Sequence, residues 1–112
     1  MRYLMLVMTD PTAPEPAAGT VPDVDEWAAR NDASGARVMG ERLGDPQDAT
    51  DVRVRDGRLV VTDGPFAETK EQIAGFDIIE ADGLDEAIGI AAAHPMAHVG
   101  MIELRPFWSG KD

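Results

Sequence analysis

The chain opens on six consecutive apolar positions, Tyr3 to Met8. A strand with one wet face would alternate, so the unbroken run predicts a strand covered on both sides. Residues 10–22 carry Pro11, Pro14, Pro16 and Pro22 together with Gly19. Prolines fix φ and remove donors, which predicts a long loop there. Val24, Trp27, Ala28 and Asn31 then recur at helical spacing, and the first three form a short apolar stripe. Pro22 suits the first turn of that helix, and Asp23, Asp25 and Glu26 complement the positive end of its dipole. Gly35 is its expected stop.

A second strand is predicted over 37–43, ended by Gly44, Asp45 and Pro46. Residues 51–62 read as two β-rich arms around Asp56-Gly57, the strongest short hairpin signal, because a type I′ turn needs positive φ at both central residues. Val52 and Val54 face one side of this hairpin, Arg53 and Arg55 the other. Residues 63–71 break the pattern: Gly64-Pro65 predicts a turn, with one helical turn behind it. A strand follows over 75–81. Asp82 is the expected N-cap of a second helix, whose apolar stripe is Leu84, Ala87, Ile88 and Ala91, closed by Pro95. The last strand spans 99–106. This order predicts an α+β fold, a ferredoxin-like split βαβ with an inserted β-hairpin, formed by one domain over residues 1–106 with a short tail at 107–112.

Two helices cover only one face of such a sheet. The opposite face is predicted to be apolar as well. Tyr3, Met5 and Val7 alternate with Leu4, Leu6 and Met8, and Val99 and Met101 with Ile102 and Leu104. An uncovered face of this kind exceeds the patch a monomer usually tolerates, which predicts a homodimer packed sheet to sheet. A flat cover by the loop at 10–22 is the alternative.

Charge narrows the partners. The 112 residues carry 21 acidic and 10 basic side chains, a net charge of -11. Such a surface repels phosphate backbones and anionic lipid, so neither nucleic acid nor membrane is an expected partner. No Cys is present, which removes disulfide and thiolate chemistry and fits a cytoplasmic location. The run at Tyr3 to Met8 is too short for a signal-peptide core or a membrane span.

Candidate chemistry concentrates in three places. In the loop from Asp63 to Glu71, Pro65 sets the turn and Phe66 can anchor it, while Asp63 can cap its own backbone. Glu68, Lys70 and Glu71 are less easily explained by packing and suit ligand contacts on a positioned loop. Glu103 and Arg105 share one strand face and can orient an anionic or carbonyl ligand; a cross-strand ion pair with Glu41 or Arg42 that fixes register is the structural alternative. His94 and His98 stand four apart, but Pro95 between them argues against a shared metal, and His94 is expected to interact with a helix C-terminus. No Walker loop, dinucleotide fingerprint or Ser/His/Asp arrangement occurs.

The run Asp63-Gly64-Pro65-Phe66-Ala67-Glu68-Thr69-Lys70-Glu71 resembles the signature of the DGPF branch of the YCII-related family. Its surroundings agree: Val52 to Gly57 before it, Gly75-Phe76 after it, Leu84 to Ala87, His94-Pro95, and Glu103 to Pro106. The resemblance implies a ferredoxin-like fold assembled as a dimeric α/β barrel. It further implies lyase-like or dehalogenating chemistry with a His–Asp pair. The family histidine lies near the first helix, where this chain has none, and the acidic partner maps to Asp82. Relatives of the branch resemble neighbours or fusion partners of alternative sigma factors, which makes a regulatory, partner-binding module the second expectation. The leading expectation is a small organic ligand held in a cleft and worked on by carboxylates. Asp63, Glu68 and Glu103 are the candidate catalytic groups. Glu41, Phe66, Lys70 and Arg105 are the candidate contacts, with no cofactor or metal.

Overall fold

A computed structural model of the chain describes residues 1–64 and 71–110. In order, these form β1 (Arg2–Thr9), α1 (Val24–Ser34), β2 (Arg37–Arg42), β3 (Thr50–Arg55), β4 (Arg58–Asp63), β5 (Gln72–Glu80), α2 (Leu84–Ala92), α3 (Met96–Val99) and β6 (Gly100–Pro106). A 3-10 turn, Pro46–Asp48, precedes β3. The helical turn expected within 63–71 falls on residues 65–70, outside the described residues.

Four strands pair antiparallel in the order β2-β5-β1-β6. This α+β arrangement is consistent with the ferredoxin-like split βαβ. Tyr3, Met5 and Val7 of β1 and Ile79 of β5 bury themselves against Trp27 of α1 and Ala87 and Ala91 of α2. Met5 and Ile79 are fully buried, each stabilising by roughly 1.5–3 kcal/mol over exposure. Ile102 and Leu104 of β6 pack against the same core.

Both long helices start and stop for local reasons. Asp23, not Pro22, is the N-terminal boundary of α1: its side chain accepts from the backbone N–H groups of Asp25 (2.7 Å) and Glu26 (3.3 Å). Gly35 ends α1 in the left-handed region, at φ 79. For α2 the expectation fails in two ways. Gly83 is the N-cap and Asp82 makes no capping bond. The buried stripe is Ala87 and Ala91, with Leu84 and Ile88 turned outward. Small side chains win because they let α2 lie close to the sheet. The last strand begins one residue later than expected, since Met96–Val99 closes into the short α3.

The hairpin forms as predicted, with Asp56 at φ 52 and Gly57 at φ 75. Among the described residues it is a separate two-stranded ribbon, with β3 and β4 paired to each other. Val52 stands opposite Val61 and Val54 opposite Leu59, and all four are exposed. Asp51 and Arg53, on the other side, are half-buried. The radius of gyration is 16.3 Å, above the roughly 13 Å of a compact chain this long, as a ribbon standing off the body requires.

The helix-free face of the main sheet carries Leu4, Leu6, Met8, Phe76 and Ile78 at its centre, and none of them is fully buried. Met101, Glu103 and Arg105 lie beside them on β6.

Candidate functional site

In β5 the alternation Phe76, Asp77, Ile78, Ile79 sends Phe76 and Ile78 to the helix-free face and Asp77 to the helix side, beside Met5. Asp77 is only 6% exposed there. A carboxylate in such a place is costly unless paired. Arg37 supplies the pair: its Nε donates to Oδ1 of Asp77 at 2.8 Å. The same guanidinium donates through Nη1 to both Asp32 oxygens, at 3.1 and 3.2 Å, and through Nη2 to the Gly40 carbonyl at 3.3 Å. One side chain thus ties the end of α1, the middle of β2 and the middle of β5.

Two backbone features make room for it. The β2–β5 register shifts between Arg37 and Met39, so Val38 is an extra residue. Such a bulge re-aims side chains: Arg37 stands opposite Ile79 on the helix side, while Met39 stands opposite Ile78 on the other. Gly40 then falls opposite Asp77. A Cβ at Gly40 would collide with the Asp77 carboxylate and lie 2.8 Å from the Phe76 carbonyl oxygen. The missing side chain of Gly40 is the space that the carboxylate occupies.

His94 closes the site from above. It follows α2 and is 5% exposed. Its Nδ1 accepts the backbone N–H of Met96 at 3.0 Å, so the neutral ring carries its proton on Nε2. Nε2 makes no hydrogen bond to another described residue. The ring stands edge-on to Trp27, 4.7 Å between centroids, and Trp27 is itself fixed by Nε1–H donating to the Ile90 carbonyl at 2.9 Å. His94 stands just past the end of α2, at the helix C-terminus expected for it, and its Nδ1 serves as an acceptor for the start of α3. Burial pushes its pKa down from the ordinary 6.5, Asp77 opposes that shift and Arg37 adds to it. Burial pushes the Asp77 carboxyl up from 3.8, and Arg37 pulls it back. The Asp77 bond in turn raises Arg37.

Asp77, His94 and Arg37 line a cleft of about 580 Å³, a volume suited to a small organic molecule. Val7, Trp27 and Met96 give it apolar walls, Gly40 and Gly75 lie in its floor, and Arg42 stands at the same strand as Arg37. Chemically it offers a buried carboxylate with one oxygen held by a guanidinium and a neutral imidazole with an N–H to give.

The residues singled out from sequence are dispersed. Glu41 borders the cleft, though its register opposite Phe76 places it on the helix-free side. Glu103 and Arg105 share that face and bond each other, Nε to Oε2 at 3.1 Å. They make no cross-strand pair with Glu41 or Arg42, because β2 and β6 are opposite edges of the sheet, about 14 Å apart at the usual strand spacing. Asp63 ends β4, exposed, on the ribbon. Phe66, Glu68 and Lys70 lie outside the described residues. His98 donates from Nε2 to the Ala92 carbonyl at 3.0 Å, and among the described residues no cluster of His, Cys, Asp or Glu is placed to hold a metal. Asp77, Arg37 and Gly40 were not among the candidates read from sequence, and His94 was weighed there only for a metal and for a helix end. Their signals were a carboxylate inside an apolar strand and a glycine inside a strand.

Gly40→Ala is expected to displace Asp77 and destabilise the protein by about 1–3 kcal/mol, measured by urea denaturation. The pH dependence is a second check. Unfolded histidine takes its proton near 6.5, and folded His94 resists it. Stability from this group is therefore full above pH 6.5 and is lost as pH falls below that value. Urea midpoints between pH 7.5 and 5.5 should decline in the native chain, and the decline should flatten in His94→Gln.

The YCII-related domain model matches residues 1–110. An uncharacterised protein of Rhizobium meliloti (strain 1021) is 45% identical over 60 residues, covering 52% of this chain and 48% of the relative. The match thus spans about half the length of that curated protein. No helix among the described residues is long and apolar enough to cross a membrane. With the model matched over nearly its whole length, the chain belongs to the YCII-related family.

Proposed function

We propose that the cleft between α1, α3 and the sheet binds a small organic molecule bearing a carbonyl group and removes a proton from the carbon beside it. Asp77 is the base. Its carboxylate takes the C–H proton, forming the acid, while the electron pair moves onto the carbonyl oxygen as an enolate. The Nε2–H of His94 donates a hydrogen bond to that oxygen, a task suited to a neutral imidazole. Arg37 is a positioning residue, holding Oδ1 so that the second oxygen meets the ligand. The observation that carries this proposal is the buried Asp77 carboxylate, opposed by a neutral His94 with a free N–H in one cleft. In it Asp63 and Glu103 have no part in the chemistry.

Deuterium exchange of a panel of small ketones and keto acids in D2O is the test. The protein should accelerate exchange beside the carbonyl, and Asp77→Asn should lower the rate by about 10²–10⁴-fold. Equal rates in the two proteins would contradict the assignment.

We propose further that the protein works as a homodimer. The helix-free face, with Leu4, Leu6, Phe76 and Ile78, and the exposed ribbon face at Val52, Val54, Leu59 and Val61 are the support. A two-stranded ribbon alone is marginal in water, and an apolar sheet face wants cover. Sedimentation equilibrium at micromolar concentration should give twice the chain mass, and Leu6→Glu should give a folded single chain. A native monomer would refute this.

A further inference from the structure

We infer that the cleft selects small monocarboxylates and that Arg42 is the residue that holds their carboxylate end. The inference rests on the cleft being the ligand site, and it adds the ligand's charge and the residue that reads it.

Strand geometry puts Arg42 on the right side. Gly40 and Arg42 are two apart in β2, so they share a face, and they stand opposite Asp77 and Gly75 of β5. That is the helix side, where the cleft lies. Beneath Arg42 the floor is bare backbone: Gly75 is buried and has no side chain, and a Cβ there would come to 3.0 Å from the Glu41 carbonyl. Backbone of β2 therefore runs close against Gly75, and the Arg42 side chain stands at the exposed rim of the cleft.

The two cleft arginines differ in how their donors are used. Arg37 commits Nε, Nη1 and Nη2 to Asp77, Asp32 and Gly40. Arg42 is exposed and makes no ion pair or side-chain hydrogen bond with any described residue. In a chain with 21 acidic and 10 basic residues, a guanidinium at a cleft with no carboxylate on it is an open fork for one. Its sequence neighbour Glu41 faces the other side of the sheet, and Asp77 is already bound by Arg37.

The remaining features set the class. The net charge of -11 works against di- and polyanions, which favours a ligand with one negative charge. Val7, Trp27 and Met96 favour an apolar body. Two residues of strand separate the Arg42 and Gly40 positions, about 7 Å, which sets the distance from the ligand's charged end to the atom over Asp77.

The test uses the intact chain at pH 7.5 with hexanoate and benzoate, each against its neutral amide. The amide signals of Gly40 and Gly75 and the indole N–H of Trp27 report binding by NMR. The carboxylates should bind at least tenfold tighter than the amides. Arg42→Gln should weaken the carboxylates about 10- to 100-fold and leave the amides unchanged, and Arg42→Lys should recover part of the loss. Equal binding of acids and amides, insensitive to Arg42→Gln, would overturn the anchor while leaving the cleft as a ligand site. No response of these signals to any of the four compounds would overturn both.

Discussion

The ion pair between Arg37 and Asp77 is the interaction on which the rest of the site depends. An ionised carboxylate at 6% exposure would be expelled, protonated or hydrated without a cation within hydrogen-bond reach. Arg37 reaches it at 2.8 Å only because Val38 bulges the edge strand and Gly40 leaves a gap. The guanidinium is then held from three directions, by α1, β2 and β5. Such a pair is weak evidence for stability, since an apolar replacement would often pack as well. In the proposed function it holds a charged group ready for the ligand.

Everything else in the cleft is arranged around that carboxylate. Burial raises the Asp77 pKa while Arg37 lowers it, and burial prevails, so the carboxyl stands above its ordinary 3.8. His94 is kept neutral by burial and by the Met96 N–H on its Nδ1, so its remaining N–H points to hydrogen-bond donation rather than to charge. Trp27 props the imidazole edge-on and is braced by α2 in turn. Gly40 leaves the gap that the Asp77 carboxylate occupies, and Ala87 and Ala91 let α2 lie close to the sheet.

Much of the fold was legible in the sequence because its signals are local. The apolar run Tyr3 to Met8, Asp56-Gly57 and Gly35 each act within a few residues, and each produced the expected element. Local competition explains the misses near α2. Asp82 and Gly83 both suit a cap, and Ala87 and Ala91 outcompete Leu84 and Ile88 for the core because close approach favours small groups. The site was harder to read for a different reason. Arg37, Asp77 and His94 come together only through the strand order β2-β5-β1-β6 and a one-residue bulge, neither of which periodicity encodes. Polar residues that sit close in a motif, such as Glu103 and Arg105, drew attention instead and proved to pair with each other.

The ionisation of Asp77 reports its burial and its pairing with Arg37 together. Carbon-detected NMR titration of its carboxyl, in the native chain and in Arg37→Met, separates burial from pairing. Native Asp77 should titrate above 3.8 and rise further once the guanidinium is gone. A carboxyl that titrates at or below the ordinary value, and does not respond to Arg37→Met, would contradict this by showing that the two groups are neither buried nor paired.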